Sequence, residues 1–319
     1  MTSTFIKAAE VWLPNDDGSL LEFGGGAFGP AKRFAALSRT MCFGRDEGLP
    51  GRAWELGQPV LLRQFEASNF RRTEAARTAG FTCAIAIPFA KRDALGAVLV
   101  LFCGHVPSQA SALELWHHAA HADGELTLAD GAYGSNAQAF ETISHETHLP
   151  RGAGLPGLAW ERGEAVFMED LAAGPGGFVR AEPAAQAGMV RGLAIPVGTP
   201  PENSQVVGFL ASRTLPLAQR IERWVPDAAK TALHRAYAFS ELHGGHSTVS
   251  AELPLSLTAT GSVRSIAKAW TTGVPVVNDQ PSAEAGAPAA AAAAIGSMAL
   301  VAIPVVSDGL VTEVVVLYL

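Results

Sequence analysis

Apolar and polar residues alternate in short blocks that predict strands and brief helices. Two β-rich runs at the start flank Asn15-Asp-Asp-Gly18, which is typical of a hairpin turn. A second hairpin is predicted by two later apolar runs, and helical patterns lie between the two hairpins. In the first third of the chain the predicted strands are 5–13, 19–23, 58–63, 81–89 and 95–102, and the predicted helices are 52–55 and 70–79. This pattern predicts an antiparallel sheet with short inserted helices.

A long motif recurs along the chain, and its period determines the predicted architecture. Gly48-Leu-Pro-Gly-Arg-Ala-Trp-Glu-Leu-Gly57 returns as Gly154-Leu-Pro-Gly-Leu-Ala-Trp-Glu-Arg-Gly163, which is 106 residues later. Ile87-Pro88 matches Ile195-Pro196, and Ile303-Pro304 follows at the same spacing of 108 residues. So many matches in one order predict three copies of one domain.

The third copy is degenerate. Trp270-Thr-Thr-Gly273 keeps the Trp-x-x-Gly step, whereas the segment that reads Phe70-Arg-Arg-Thr-Glu in the first copy is replaced by the alanine-rich residues 285–294. Longer apolar segments at 110–121 and 215–237 predict linker helices that pack on the sheet face opposite the inserted helices. We therefore predict an α+β chain of three domains, 1–106, 107–214 and 215–319, the last two each beginning with a linker helix.

Composition narrows the functional classes. The chain has 319 residues, 48% of them hydrophobic, and a formal net charge of −7 with scattered Lys and Arg, so nucleic acid is not an expected partner. Three cysteines without a Cys-x-x-Cys pair favour a reduced, cytoplasmic location. Residues 1–7 lack the pattern of a signal peptide. Residues 285–307 are uncharged, but Pro288, Pro304 and the many alanines favour a helix and a strand over a membrane span.

The repeated motif resembles the GAF family of small-molecule sensor domains. The sequence motifs of that family match the first copy closely at Gly48 to Val60, at Ala79-Gly80 and in the strand containing Ile87-Pro88. The second copy matches them nearly as well. The resemblance implies a central antiparallel sheet, a ligand pocket between the sheet and the inserted helices, and a role in sensing or regulation. It implies no particular ligand, because one fold serves many functions. The residues that typify cyclic-nucleotide or bilin binding in this family are missing.

The ligand-facing residues that we predict are repeated polar and aromatic groups where the resemblance places the pocket wall. They are Trp54, Phe70, Arg72, Glu74, Trp160, Phe178, Arg180 and Glu182. A solvated helix face with an Arg–Glu pair is an equally good interpretation of the charged members. The tryptophans, with Trp270, could stack on a flat ligand, although packing of the helix onto the sheet is the simpler explanation.

Two further groups of residues have side chains suited to metal binding or thiol chemistry. Glu114, His117, His118 and His121 would share one face if residues 110–121 were helical, but no further ligand is identifiable and no metal site is predicted. Cys42, Cys83 and Cys103 raise the alternative of a GAF-like free methionine sulfoxide reductase. That family resembles this chain in fold, but it carries a cysteine in the turn where this sequence has Pro50 and Pro156.

The sequence therefore predicts a non-catalytic sensor or regulatory protein that binds an unidentified small molecule, a signalling protein or both. Regulation through self-association is expected. The sequence does not identify a cofactor, and it does not indicate a membrane partner. The main alternative is an interaction scaffold with closed pockets and apolar surface on the linker helices. A thiol-based reductase is the remote alternative.

Overall fold

Three sheets, one per repeat, organise the chain. The computed structural model describes residues 3–66, 68, 70–91, 94–118, 124–173, 177–198, 204–241, 245–246, 254–257, 265–284, 286–307 and 309–319. Within these residues each repeat forms an antiparallel sheet with short helices between its strands. The predicted α+β class and the three-fold repetition are confirmed, and each sheet lies inside one of the three predicted domain ranges.

The first repeat sets the plan that the other two follow. Its strands are β1 (Ile6–Pro14), β2 (Leu21–Ala27), β3 (Cys42–Phe43), β4 (Val60–Leu62), β5 (Cys83–Lys91) and β6 (Ala94–Cys103), and its helices are α1 (Lys32–Ser38), α2 (Gly48–Leu56) and α3 (Thr73–Thr78). The strand order is β3-β2-β1-β6-β5-β4. The first and last strands of the unit are thus neighbours at its centre.

The second repeat has the same order of elements. Its strands are β7 (Ser111–His118), β8 (Glu125–Tyr133), β9 (His148–Pro150), β10 (Val166–Met168), β11 (Arg191–Val197) and β12 (Gln205–Ala211), and its helices are α4 (Gln138–Glu146), α5 (Gly154–Arg162) and α6 (Ala181–Ala187). The strand order β10-β11-β12-β7-β8-β9 is the first order read from the other edge.

The third repeat keeps the core of this plan. Its strands are β13 (Arg220–Pro226), β14 (Ala232–Ser240), β15 (Gly245–His246), β16 (Leu255–Ser256), β17 (Val276–Asn278), β18 (Leu300–Ser307) and β19 (Leu310–Tyr318), and its helices are α7 (Ser265–Thr272) and α8 (Ala287–Ile295), with a 3-10 turn at Pro281–Ala283. None of the described helices is long and apolar enough to cross a membrane.

Short motifs create equivalent local structure in each repeat. The helix that carries the repeated tryptophan ends at a glycine in the left-handed region, with φ of 61° at Gly57, 62° at Gly163 and 64° at Gly273. This conformation favours glycine, and it turns the chain directly into the next edge strand. The first strand of each repeat also faces a β-bulge in its partner strand, next to Trp12, Trp116 and Trp224.

The predicted linker helices are wrong. Residues 111–118 form β7, and most of 215–237 forms β13 and part of β14. Both faces of β7 are buried, so its apolar residues form a nearly continuous run rather than a clean alternation. Such a run resembles a helical pattern when it is read without its neighbours.

The opposite face of each sheet is covered by the other two sheets. The inner faces pack on the helices of their own repeat and form three separate cores. The outer faces contribute to one shared core that includes Leu101, Leu193 and Leu317, one residue from each repeat. Each repeat therefore buries one face on its own and one face only in the company of the others.

The repeats contact one another in a cyclic, head-to-tail manner. Edge strand β4 lies against β8 and β17 lies against β2. The third junction joins β10 to β14, where the rings of Phe167 and Phe239 lie 5.1 Å apart. Each junction uses the same pair of elements, so the three repeats form a closed ring with pseudo-three-fold symmetry.

Equivalent positions at the three junctions carry different chemistry. Gln205 donates to Gln58 at 2.9 Å between the first and second repeats. Arg223 bridges Glu164 and Glu313 between the second and third, although burial raises the pKa of Glu313 above its usual range. The junction between the third and first repeats is apolar, since Val274 packs beside Gly96.

We expect the three repeats to unfold together, because none can keep its outer face buried alone. Differential scanning calorimetry should give one transition with equal calorimetric and van't Hoff enthalpies. Leu317→Ala, in the shared core, should lower the free energy of unfolding by about 2–5 kcal/mol and move that whole transition. Leu310→Ala, on the same strand but 61% exposed, is the matched control. Three resolved transitions would contradict a shared core.

Candidate functional site

A buried ion pair occupies the interior of the first repeat, where the sequence predicted a pocket. Arg72 precedes α3 and reaches across to Glu10 on β1, with Nη2 donating to Oε2 at 3.1 Å. Nη1 also donates to Glu10 and to Ser38 on α1. The guanidinium lies 4.3 Å from the ring centroid of Phe34. Arg72 and Glu10 are 3% and 0% exposed, so the charges neutralise each other out of contact with water.

The second repeat reproduces this arrangement. Arg180 donates from Nη1 and Nη2 to the two carboxylate oxygens of Glu114 at 2.6 and 2.9 Å, and it also donates to Ser144. Trp116 and Tyr133 donate to the same carboxylate, each at 2.9 Å. Every oxygen of the buried carboxylate is thus satisfied.

The electrostatics keep this carboxylate ionised. Burial by itself raises the pKa of Glu114, but the charge of Arg180 and the hydrogen bonds from Arg180, Trp116 and Tyr133 outweigh it. The net pKa lies below its ordinary range. Burial and the adjacent carboxylate raise the pKa of Tyr133, which therefore remains a neutral donor.

The third repeat keeps the carboxylate but changes the source of the cation. Glu222 accepts hydrogen bonds from Trp224 at 2.9 Å and from Tyr318 at 3.2 Å. Pro288 stands where the period of 108 residues would place the arginine, and the cations come instead from Arg220 and Arg235 within the sheet. The buried anion is common to all three repeats.

The predicted ligand-facing residues fall into three groups. Arg72 and Arg180 point inward but onto carboxylates of their own repeats, and Phe70 and Phe178 pack beside them. Glu74 and Glu182 face solvent, so they are not the partners of the arginines. The ligand-facing role of these side chains stays a prediction.

The repeated tryptophans lie mostly buried between helix and sheet. Trp54 and Trp160 are 7% and 9% exposed. Each carries an arginine over its ring, Arg45 at 4.6 Å and Arg151 at 4.8 Å from the centroid. Trp270 is half-buried in the equivalent place in the third repeat.

The anionic half of the buried cluster was not among the predicted ligand-facing residues. Glu10, Glu114 and Glu222 each precede a buried tryptophan by two residues, in the text Glu-x-Trp at the first strand of every repeat. Residues two apart on a strand share a face, which lets each carboxylate accept from its indole. A search of the repeat for recurring charges in apolar strands would have found this signal.

A charged cleft opens on the surface of the first repeat beside α2. It has a volume of about 530 Å³. Arg52 pairs with Asp46 at 2.5 Å and Arg71 pairs with Glu47, and all four side chains are substantially exposed. Apolar groups form the rest of the wall: Leu49, Val60, Leu62 and Phe70. Two cations, two anions and an apolar wall thus line one opening.

The second repeat does not keep these charges. The residues that correspond to the four charged side chains are Gly152, Ala153, Leu158 and Val179. The backbone plan is the same, because α2 and α5 start from the same Gly-Leu-Pro-Gly text. The cleft chemistry is therefore particular to the first repeat, whereas the buried ion pair is shared by both.

The candidate metal ligands Glu114, His117 and His118 lie on strand β7, which does not bring them together. Successive side chains of β7 point to opposite faces, so His117 and His118 diverge, and Glu114 is already engaged by Arg180. His121 lies outside the described residues. Among the described residues no cluster of three metal-ligating side chains occurs.

Two of the cysteines face each other inside the shared core. Cys83 and Cys103 are paired on β5 and β6, and both are 0% exposed. Hydrogen bonding with Cys103 and His105 lowers the pKa of Cys83, whereas burial raises that of Cys103. Cys42 is exposed on β3, distant in sequence from both.

The buried ion pair can be tested by removing one partner. Arg180→Met leaves the Glu114 charge uncompensated and should lower the free energy of unfolding by about 3–5 kcal/mol, measured by urea denaturation. Adding Glu114→Gln should recover part of the loss. Glu182→Gln, on exposed surface of the same helix, should leave the urea midpoint unchanged. Wild-type stability in Arg180→Met would show that the pair is dispensable.

The same pair should make stability depend on pH. The pKa of Glu114 is lower in the folded chain than in the unfolded chain, so its contribution is present near neutrality and is lost as the pH falls below about 5. The difference in urea midpoint between wild type and Glu114→Gln should shrink over that range. A constant difference from pH 7 to about pH 3 would contradict this assignment.

Comparisons with known proteins concern the fold. No family model matches the chain, and no curated protein matches it. Similar solved structures include the free methionine-R-sulfoxide reductase of Neisseria meningitidis in complex with its substrate (15% identity, TM-score 0.26), a GAF domain of A. aeolicus (18%, 0.26) and the GAF domain of Acinetobacter phosphoenolpyruvate-protein phosphotransferase (14%, 0.24). These matches cover 32%, 32% and 31% of this chain and 54%, 59% and 54% of the other chains. By its sheets, inserted helices and repeated motifs, the chain consists of three tandem α+β repeats of one plan, the third of them degenerate, and the solved structures to which it is similar include GAF domains.

Proposed function

We propose that this chain is a non-catalytic sensor or regulatory protein whose first repeat binds a small zwitterionic molecule in the charged cleft. One observation carries the proposal: the cleft has two cations and two anions that the second repeat lacks on the same backbone. Charges that were needed for folding alone would be expected in both repeats. Chemistry confined to one copy favours binding.

The ligand class follows from the lining of the cleft. The ion pairs are exposed and therefore weak, so a ligand can exchange with them at small cost. A carboxylate would pair with Arg52 and Arg71, and an ammonium group with Asp46 and Glu47. The apolar wall suits an aliphatic or aromatic side chain, so a free amino acid of apolar type fits all three features.

The interior of the repeats is a poorer candidate for binding. Aromatic rings surround Arg72 on several sides: Trp12, Phe34, Phe70 and Phe102. A ligand would have to displace these side chains and break a buried ion pair, at a cost of several kcal/mol. The cleft requires neither change.

The two alternative functions have less support. The scaffold alternative requires exposed apolar surface on the linker helices, but those segments form the buried strands β7 and β13. A methionine sulfoxide reductase would need an accessible thiol near a second one, whereas Cys83 and Cys103 are fully buried. Output through a partner protein or through self-association is part of the proposal.

Thermal melting with a set of matched compounds tests the proposal. L-Leucine carries both charges, isocaproate lacks the ammonium group and isoamylamine lacks the carboxylate. Leucine should raise the melting temperature more than either analogue, since a ligand at about 100 times its Kd adds ~2.7 kcal/mol to the folded state. Phenylalanine and methionine extend the comparison to other apolar side chains.

The variant series uses the second repeat as its guide. Arg52→Leu with Arg71→Val introduces the residues found at the corresponding positions of that repeat and should abolish the shift. Arg77→Ala, which removes an exposed arginine on α3, should keep it. No shift with any zwitterionic amino acid, or an equal shift in the double variant, would reject the proposal.

A further inference from the structure

A second cavity lies where the three repeats meet. It has a volume of about 660 Å³, within the range of small-molecule sites. The repeated Ile-Pro step of every sheet contributes to its wall: Ile87-Pro88, Ile195-Pro196 and Ile303-Pro304. The cavity therefore reaches the pseudo-three-fold axis, although most of its lining belongs to the first repeat.

Most side chains in the wall are apolar, although polar atoms contribute nearly half of its exposed surface. Prolines, aliphatic groups and the aromatic residues Trp54 and Phe89 form most of the wall. Arg45 is the one charged residue of the lining in the described part of the chain, and it is engaged with the Trp54 ring and with Glu55. A charged ligand would therefore find no unpaired countercharge here.

One polar group in the wall lacks a partner. Gln205 is 8% exposed, and its Nε2 donates to Gln58, but its Oε1 is buried without a hydrogen-bond donor. A buried acceptor without a donor is unfavourable, and the last torsion of a glutamine side chain has a broad range. Rotation of the amide can turn its oxygen toward a donor inside the cavity, at the cost of the hydrogen bond from Nε2 to Gln58.

We infer that this axial cavity binds a neutral, largely apolar small molecule carrying an N–H or O–H donor. The donor satisfies Gln205 Oε1, and the apolar body packs on the three Ile-Pro steps. The ligand would contact all three repeats at once, so its binding would favour the closed ring over any opened arrangement. This site is separate from the charged cleft, and its ligand differs in charge.

Fluorescence titration with 1-aminoanthracene tests the site. The probe is neutral at pH 7, is mostly apolar and carries an amine donor, and its emission increases in apolar surroundings. We expect saturable binding of one probe per chain. Gln205→Leu keeps the volume but removes the acceptor, and should weaken binding by about tenfold, the value of one hydrogen bond.

Two tryptophan variants locate the probe. Ala94 lies at the exposed rim of the cavity, so Ala94→Trp should fill the opening and abolish binding. Leu310→Trp, at an exposed position outside the cavity lining, should not. The double variant Arg52→Leu with Arg71→Val should bind the probe as wild type does, which separates this site from the charged cleft.

Three outcomes would overturn the inference. The first is no saturable binding to the wild-type chain. The second is unchanged affinity in Ala94→Trp, which would place the probe elsewhere. The third is loss of binding in the double variant of the cleft while Ala94→Trp still binds, which would assign the probe to the cleft.

Discussion

The packing of three sheet faces on one another is the constraint on which the rest of this structure depends. Each sheet has two apolar faces, and the short helices of a repeat cover only one of them. The second face has no cover within its own repeat, so exposing it would cost the hydrophobic free energy of a whole core. Ring closure removes all three exposed faces together, and it also creates the axial cavity.

The three junctions of the ring differ in chemistry, which specifies which repeats can pair with each other. An amide pair, the ion pair of Arg223 with Glu164 and an apolar contact occupy corresponding positions. Ala165 N–H of the second repeat donates to Glu313, so placing Glu313 against the apolar junction would leave this buried carboxylate without that donor, which is unfavourable. The order of repeats around the axis is therefore fixed by charge and hydrogen bonding, while the strength of association comes from the shared apolar core.

Charged residues that recur in every repeat have a different explanation from those that the second repeat lacks. The carboxylate beside a buried tryptophan recurs in every repeat, and its partners satisfy its hydrogen bonds. In the first two repeats these partners connect the helices to the sheet, whereas in the third they all lie on strands. The charged cleft lies on the first repeat, and the second repeat carries uncharged side chains at the corresponding positions of the same backbone plan. Repetition within one chain thus separates residues that maintain the fold from residues available for binding.

The sequence by itself determined the number of repeats, the antiparallel character of the sheets and the positions of α2 and α3, but not that of α1. These follow from local turn chemistry and from a motif that returns at a fixed period, both of which are legible along the chain. Only the tertiary structure decided that residues 111–118 are a strand, that Arg72 pairs with Glu10 rather than Glu74, and that three sheets share a core. Each of these depends on contacts between residues far apart in sequence, and a strand buried on both faces carries no alternation of polarity to identify it.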